Sequence, residues 1–420
     1  MASKIEIKSL REAGIKLIDC VHKTPPASDS GFPYIGIPQM GGGRINPSAA
    51  RLISESNFKK WTEKARPQEN DIILSRRCNP GETAWVPPGV DWALGQNLVL
   101  LRATGENIYP PFLRWVLQCP QWWSEVKTFI NVGAIFESLK CVEIPEFKVP
   151  LPGLEDQKAI SGLLWDLDNK AENLRRQNQT LENIAQTLFK RWFIEFEFPD
   201  KEGKPYKSSG GKMVESELGE IPEGWKVGTV NDLCQKLASG GTPSTKNKEY
   251  YSGEINWFST KELNDNYLFE SEKKITEEGL SNSSAKFFPR GAVIMAIYAA
   301  PTVGRLGILA RESTFNQAAC GFIADENICC GEFIYLLLLY SRRTLNNLAN
   351  GAAQQNLNVR IVSDFPVIIP DKFIMNKFKE LAIPIFNKIY VNSYQTQTIT
   401  KTRDILLPKL MSGQIRVKEL

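Results

Sequence analysis

Arginine, amide, hydroxyl and aromatic side chains gather in a few short stretches of this sequence. One stretch holds Ser75-Arg76-Arg77, Asn79 and Trp85, followed by Gln96-Asn97. A second begins at Ser239-Gly240-Gly241-Thr242-Pro243-Ser244-Thr245 and continues with Trp257, Lys261, Tyr298, Arg305, Asn316-Gln317 and Gln354-Gln355-Asn356. Arg, Asn and Gln can pair bidentately with the edges of nucleic-acid bases. Ser, Thr, Lys and glycine amides suit phosphate oxygens. Arg44 joins the candidate set, although Gly41-Gly42-Gly43 before it reads as a flexible loop rather than a phosphate cradle. Taken singly, each residue is ordinary surface composition. Their recurrence at matched positions in two parts of the chain is the signal.

Catalytic chemistry is much less well provided for. The 420 residues contain a single histidine, His22, in a Thr/Pro-rich stretch without a recognisable nucleophile partner, so it reads as a surface or core histidine. The eight cysteines form no CxxC pair, which excludes zinc ribbons and thioredoxin-type motifs, and Cys329-Cys330 reads as a pair of small residues beside a buried segment. A phosphate-binding loop ending at Gly211-Lys212 fails because Tyr206 replaces the first glycine and Met213 the hydroxyl residue. Pro199-Asp200 and Glu202-Gly203-Lys204 imitate a nuclease motif, but one intervening residue cannot bring them from different strands. Tyr109-Pro110-Pro111-Phe112 lacks the amide an amino-methyltransferase needs, and no glycine-rich cofactor fingerprint follows a strand. The chain is therefore expected to bind neither metal nor cofactor.

The elements that must position these residues come in duplicate. Asp71–Ser75 and Ala292–Ala296 read as strands 221 positions apart, Gln96 falls on Gln317, and Phe112-Leu113 on Phe333-Ile334. After a slip to 218, Gly133 falls on Gly351, Leu139 on Leu357, Phe147 on Phe365 and Pro152 on Pro370. Each half mixes short strands with a helix, Pro110–Val126 in one and Gly331–Leu348 in the other, and closes on a heptad stripe. The first stripe includes Ile160, Leu164, Leu167, Leu174, Leu181 and Leu188, interrupted by Asn178. The second includes Ile385, Ile389, Ile399 and Leu406, with Pro384 expected to kink it near its start. The expected order is a first α+β domain (1–152), a helix (153–198), a Gly/Pro-rich connector (199–225), a second α+β domain (226–370), and a helix with its tail (371–420). The fold class is α+β, with the two helices packed as an antiparallel coiled coil and the domains related by a pseudo-two-fold. A balance of 51 basic against 47 acidic residues excludes binding through bulk charge. No signal-like or membrane-length apolar run occurs, so a soluble, cytoplasmic and reduced protein is expected.

Four segments carry a specific resemblance. Ser216-Glu-Leu-Gly-Glu-Ile-Pro-Glu-Gly-Trp225 resembles the entry to a target recognition domain in the specificity subunit of type I restriction-modification systems. Ser239–Ser244 resembles that family's next conserved loop, Val149-Pro-Leu-Pro152 with Glu155-Asp-Gln157 its central conserved region, and Leu406-Leu-Pro-Lys-Leu-Met-Ser-Gly413 its C-terminal end. The first half lacks its own IPEGW and GGTP elements. The resemblance implies that each domain reads one half of a split, asymmetric double-stranded DNA target, and that the helices dock two modification (methyltransferase) subunits. It also implies a restriction (translocase and nuclease) subunit, with S-adenosylmethionine, ATP and Mg bound on the partners. Two other readings are a fused methyltransferase or nuclease and a coiled-coil adaptor that binds only proteins. The first stripe, at 1.5 Å per residue, spans roughly 50 Å, which sets the expected half-sites one to one and a half turns of duplex apart.

Overall fold

The computed structural model describes residues 5–105, 107–132, 137–298, 301–350 and 357–417. The chain divides into two units, Met1–Ala171 with Thr398–Leu420, and Glu172–Gln397.

The first unit is built on a four-stranded antiparallel sheet in the order Ile15–Asp19, Leu98–Ala103, Ile72–Ser75, Thr83–Trp85. Ile72-Ile73-Leu74 and Leu98–Leu101 are continuous apolar runs because both sheet faces are covered. Ile72, Leu74, Val99 and Leu101 face Phe112, Leu113 and Trp122, while Ile73, Ala84, Leu98 and Leu100 face Ile35 and Leu94. The helix expected over Pro110–Val126 is two helices, Pro110–Val116 and Pro120–Phe129, because Pro120 has no N–H to carry the first one on. A small mixed sheet places Phe32–Ile35 antiparallel to Arg51–Ile53 and parallel to Ala93–Leu94. Glu6–Ser9 pairs with Lys148–Leu151.

The second unit repeats this plan strand for strand. Val293–Ala296, Ala319–Ala324 and Thr314–Phe315 lie 221 positions after Ile72–Ser75, Leu98–Ala103 and Ala93–Leu94. Register is repeated too, since Leu98 pairs with Ser75 and Ala319 with Ala296. Ile255–Phe258 again has one antiparallel neighbour, Lys273–Ile275, and one parallel neighbour, Thr314–Phe315. Lys226–Thr229 pairs with Pro366–Ile369 as Glu6–Ser9 does with Lys148–Leu151. Added to the central sheet is a fifth strand, Asn266–Leu268, parallel to Leu306–Leu309.

Two long helices, Leu154–Phe189 (the central helix) and Lys372–Met411 (the C-terminal helix), pack antiparallel within each unit. In the first unit Ile160 and Leu164 share a core with Leu407, Leu410 and Met411. In the second, Trp192 and Phe193 pack on Phe378, while Asn178 Nδ2 donates to Ile389 O at 3.3 Å and Ser393 Oγ at 2.9 Å. Leu174 and Ile389 are buried; Leu167, Leu181, Leu188, Ile385, Ile399 and Leu406 are half-buried along the same seam. The helix continues through Pro384, which sits on an exposed face rather than at a break. The connector is more ordered than its composition suggests. Met213–Ser216 and Gly219–Pro222 form a hairpin, and Trp225 stacks on Phe198 at 5.0 Å.

Candidate nucleic-acid interface

In the first unit, three strand ends converge. The chain leaves the first sheet strand at Asp19, the third at Ser75, and enters the edge of the second at Leu98. Their loops bring His22, Arg76, Arg77, Gln96 and Asn97 around an open cleft of about 310 Å³. The backbone ties this rim together: Arg76 N donates to Asn97 O at 2.9 Å, and Leu139 N to Arg76 O at 2.9 Å. Arg77 and Gln96 are exposed, while Arg76 is half-buried with its Nε lacking an acceptor. Asn79 is exposed, donates to Glu82 at 3.2 Å, and lines a neighbouring cavity of about 510 Å³ with Gly42, Gly43 and Gln118.

His22 was read from the sequence as an incidental histidine, yet it stands on this rim. Its Nδ1 lies 2.8 Å from Gln96 O and its Nε2 2.8 Å from Asp19 Oδ2. Both neighbours are hydrogen-bond acceptors. Asp19, Cys20 and His22 place donor atoms within 4.8 Å of one another. The Cys20 sulfur, however, is buried between Leu98 O at 2.9 Å and Gly95 O at 3.2 Å, and burial pushes its thiol up to about 11. A thiol facing two carbonyl oxygens is a poor metal ligand. Burial likewise pushes Cys234, Cys320 and Cys330 up to about 12, and all eight cysteines are free.

The second unit has the same corner with two of its three side chains changed. Thr242, Tyr298 and Gln317 lie 220, 221 and 221 positions after His22, Arg77 and Gln96. Thr242 Oγ1 donates to Gln317 Oε1, and Tyr298 N donates to Ala318 O at 3.3 Å. Tyr298, Gln317, Ser244 and Lys261 are exposed, and Thr242 and Arg305 half-buried.

Several expected contact residues have other work. Trp85 is a core residue: its indole donates to Asn70 Oδ1 at 3.2 Å and its ring meets Trp165 edge-on at 4.7 Å. Trp257 is buried likewise and donates to Gly241 O at 2.8 Å. Gly241 cannot offer its amide to a phosphate, because that N–H already donates to Phe315 O at 2.9 Å. Its glycine is required by packing, since a Cβ there would lie 2.1 Å from Ala285 N. Pro243 is buried, and its carbonyl accepts from Tyr251 Oη at 2.7 Å. Arg44 is held by Asp168. Gln354 and Gln355 lie outside the described residues.

Two units of one topology, each ending in a rim of polar side chains that differ in part between them, define a duplicated protein. The sequence pattern of the type I restriction modification DNA specificity domain matches the chain twice, over residues 18–183 and 222–385, and the chain belongs to that family. It is 30% identical over 306 residues to the MjaIX specificity subunit of Methanocaldococcus jannaschii, covering 71% of this chain and 67% of that protein. It is 26% identical over 417 residues to the HindI specificity subunit of Haemophilus influenzae, covering 86% and 90%. In fold it is similar to the type I restriction-modification S subunit of M. genitalium, with a TM-score of 0.60 and 12% identity over 97% of this chain and 96% of that one.

Proposed function

We propose that this chain is the DNA-recognition subunit of a type I restriction-modification complex and performs no catalysis itself. The recognition domains, residues 1–152 and 226–370, each read one half of a split double-stranded target. The observation that carries this reading is the repeated corner. The scaffold and register are alike in the two units and Gln96 is matched by Gln317, but His22 and Arg77 in one correspond to Thr242 and Tyr298 in the other. Different side chains on one scaffold are what reading two different half-sites requires. Contacts from Arg76, Arg77, Gln96, Ser244, Lys261, Tyr298, Arg305 and Gln317 are assigned to this role, with Asn79 and Thr242 beside them.

The long helices dock two modification subunits, and a restriction subunit completes the assembly. S-adenosylmethionine, ATP and Mg belong to those partners. In support, the C-terminal helix leaves the apolar side chains of Phe373, Leu381, Ile383 and Val391 exposed in the second unit. Among the described residues no helix is long and apolar enough to cross a membrane.

An adaptor that bound only proteins would show no DNA affinity of its own making. The test is DNA binding by the assembled complex as salt is raised, for the wild type and for Arg77→Ala and Lys261→Ala together. Loss of two phosphate or base contacts should weaken binding and, where phosphates are involved, flatten the salt dependence by about one unit per contact. Unaltered binding and slope in the double variant would remove these residues from the interface.

A further inference from the structure

The cleft of the first domain and the matching corner of the second hang on the same backbone bond but differ in charge. Arg76 N donates to Asn97 O at 2.9 Å, and Ile297 N to Ala318 O at 2.8 Å. Ile297, Tyr298, Gln317 and Ala318 stand 221 positions after Arg76, Arg77, Gln96 and Asn97, so this bond puts Tyr298 in the place of Arg77. The glutamine is kept. Both arginines are gone: Ile297 is buried in the core, and Tyr298 offers a hydroxyl and a ring.

Arg77 is fixed by its backbone and free at its side chain. Its carbonyl accepts from Ser75 Oγ at 2.9 Å and its main chain bridges to Ser138, while the guanidinium end is exposed. Among the described residues no acceptor pairs with the Arg77 guanidinium or with Arg76 Nε. The carboxylate of this corner, Asp19, is occupied by His22 at 2.8 Å and by the Cys20 N–H at 3.0 Å. The cleft lining thus presents a planar fork of donors with no acidic side chain beside it.

Two acceptors side by side complete such a fork. In duplex DNA they are the oxygens of a phosphate or the O6 and N7 of guanine. Phosphates are the same in both halves of any target, so a phosphate anchor would serve equally at both corners. A base contact has to change where the halves differ, and Arg77 is what changes while the backbone around it stays. Resting on the DNA-recognition reading above, we propose that Arg77 reads a guanine in the half-site of the first domain, through O6 and N7, and that the second domain reads none from the corresponding place, where Tyr298 stands. Gln96 and Gln317, being alike, do not mark this difference. Arg77 is a specificity-determining residue that makes the two half-sites unlike.

The test is selection of bound DNA from a randomised duplex library by the assembled complex, followed by atomic substitution in the selected target. The wild type should select a guanine in one half-site that Arg77→Ala no longer prefers, with the other half-site unchanged. Tyr298→Ala should relax no guanine in either half. Replacing the Arg77-dependent guanine by 7-deazaguanine, which pairs normally with cytosine but lacks N7, needs no protein variant. It should weaken wild-type binding by about fivefold or more, and leave Arg77→Ala, already weakened by about tenfold or more, no weaker. Wild-type binding indifferent to the missing N7 would overturn the inference. So would an Arg77→Ala complex weakened alike on every sequence, which is how a phosphate contact behaves. In both of those outcomes a two-part target is still selected and the recognition role stands, whereas a complex that selects no target overturns that role and the guanine contact together.

Discussion

At the scale of single residues, chemical type is legible in the sequence and burial is not. Arg77, Gln96 and Gln317 were identified by what their side chains can bond, and they are exposed on the rims. Trp85, Trp257 and Arg44 were identified on the same grounds but lie in cores or ion pairs, because an aromatic or guanidinium group looks alike in sequence whether it faces DNA or tryptophan. His22 has no partner legible in the sequence; Asp19 and Gln96 become its partners only when the strands are paired. Asp168 gives a residue-scale prediction. Burial alone would raise its carboxyl, but Arg114 and Arg44 hold it below the ordinary value of 3.8. Stabilisation from this carboxylate is therefore fully present above about pH 4 and is lost as pH falls through the lowered folded-state value. The stability gap between wild type and Asp168→Asn, followed by first-unit hydrogen exchange, should be constant from neutrality to about pH 4 and close below it. A gap of the same size at pH 7 and pH 2 would contradict the ion cluster.

At the scale of elements, the repeat was legible because apolar runs and chain punctuation recur at fixed offsets, and the strands sit at those offsets in the folded chain. Less legible were elements made by long-range contact. The hairpin Met213–Ser216 with Gly219–Pro222 hides in polar composition and is anchored by Trp225 between Phe193, Phe196 and Phe198. The helix seam carries the second prediction. Asn392 is fully buried, donates to Gln177 Oε1 at 3.3 Å, and leaves its own Oδ1 without a partner. Asn392→Leu removes that unsatisfied oxygen and should stabilise the second unit by about 1 kcal/mol. It should also loosen register, since a buried amide in a seam disfavours shifted pairings. Thermal melting and light scattering check both parts: a higher melting temperature with new associated species is expected. A lower melting temperature would show that Asn392 stabilises the pair outright.

At the scale of the whole molecule, the chain is two copies of one reader whose side chains have diverged. Freed of partner subunits, it should neither transfer methyl groups nor cleave DNA, with or without nucleotide. Methyl transfer that stays with the pure chain would contradict a specificity role. The most direct measurement of the central claim is selection of bound DNA from a randomised library by the assembled complex. It should be run for the wild type, for Arg77→Ala with Gln96→Ala, and for Tyr298→Ala with Gln317→Ala. A lost base contact costs about 1–3 kcal/mol, so each pair should relax preference strongly at the positions it reads. The first pair should blur one end of the selected target and leave the other intact, and the second pair should do the reverse. Blurring of both ends by either pair would contradict a protein with two independent readers.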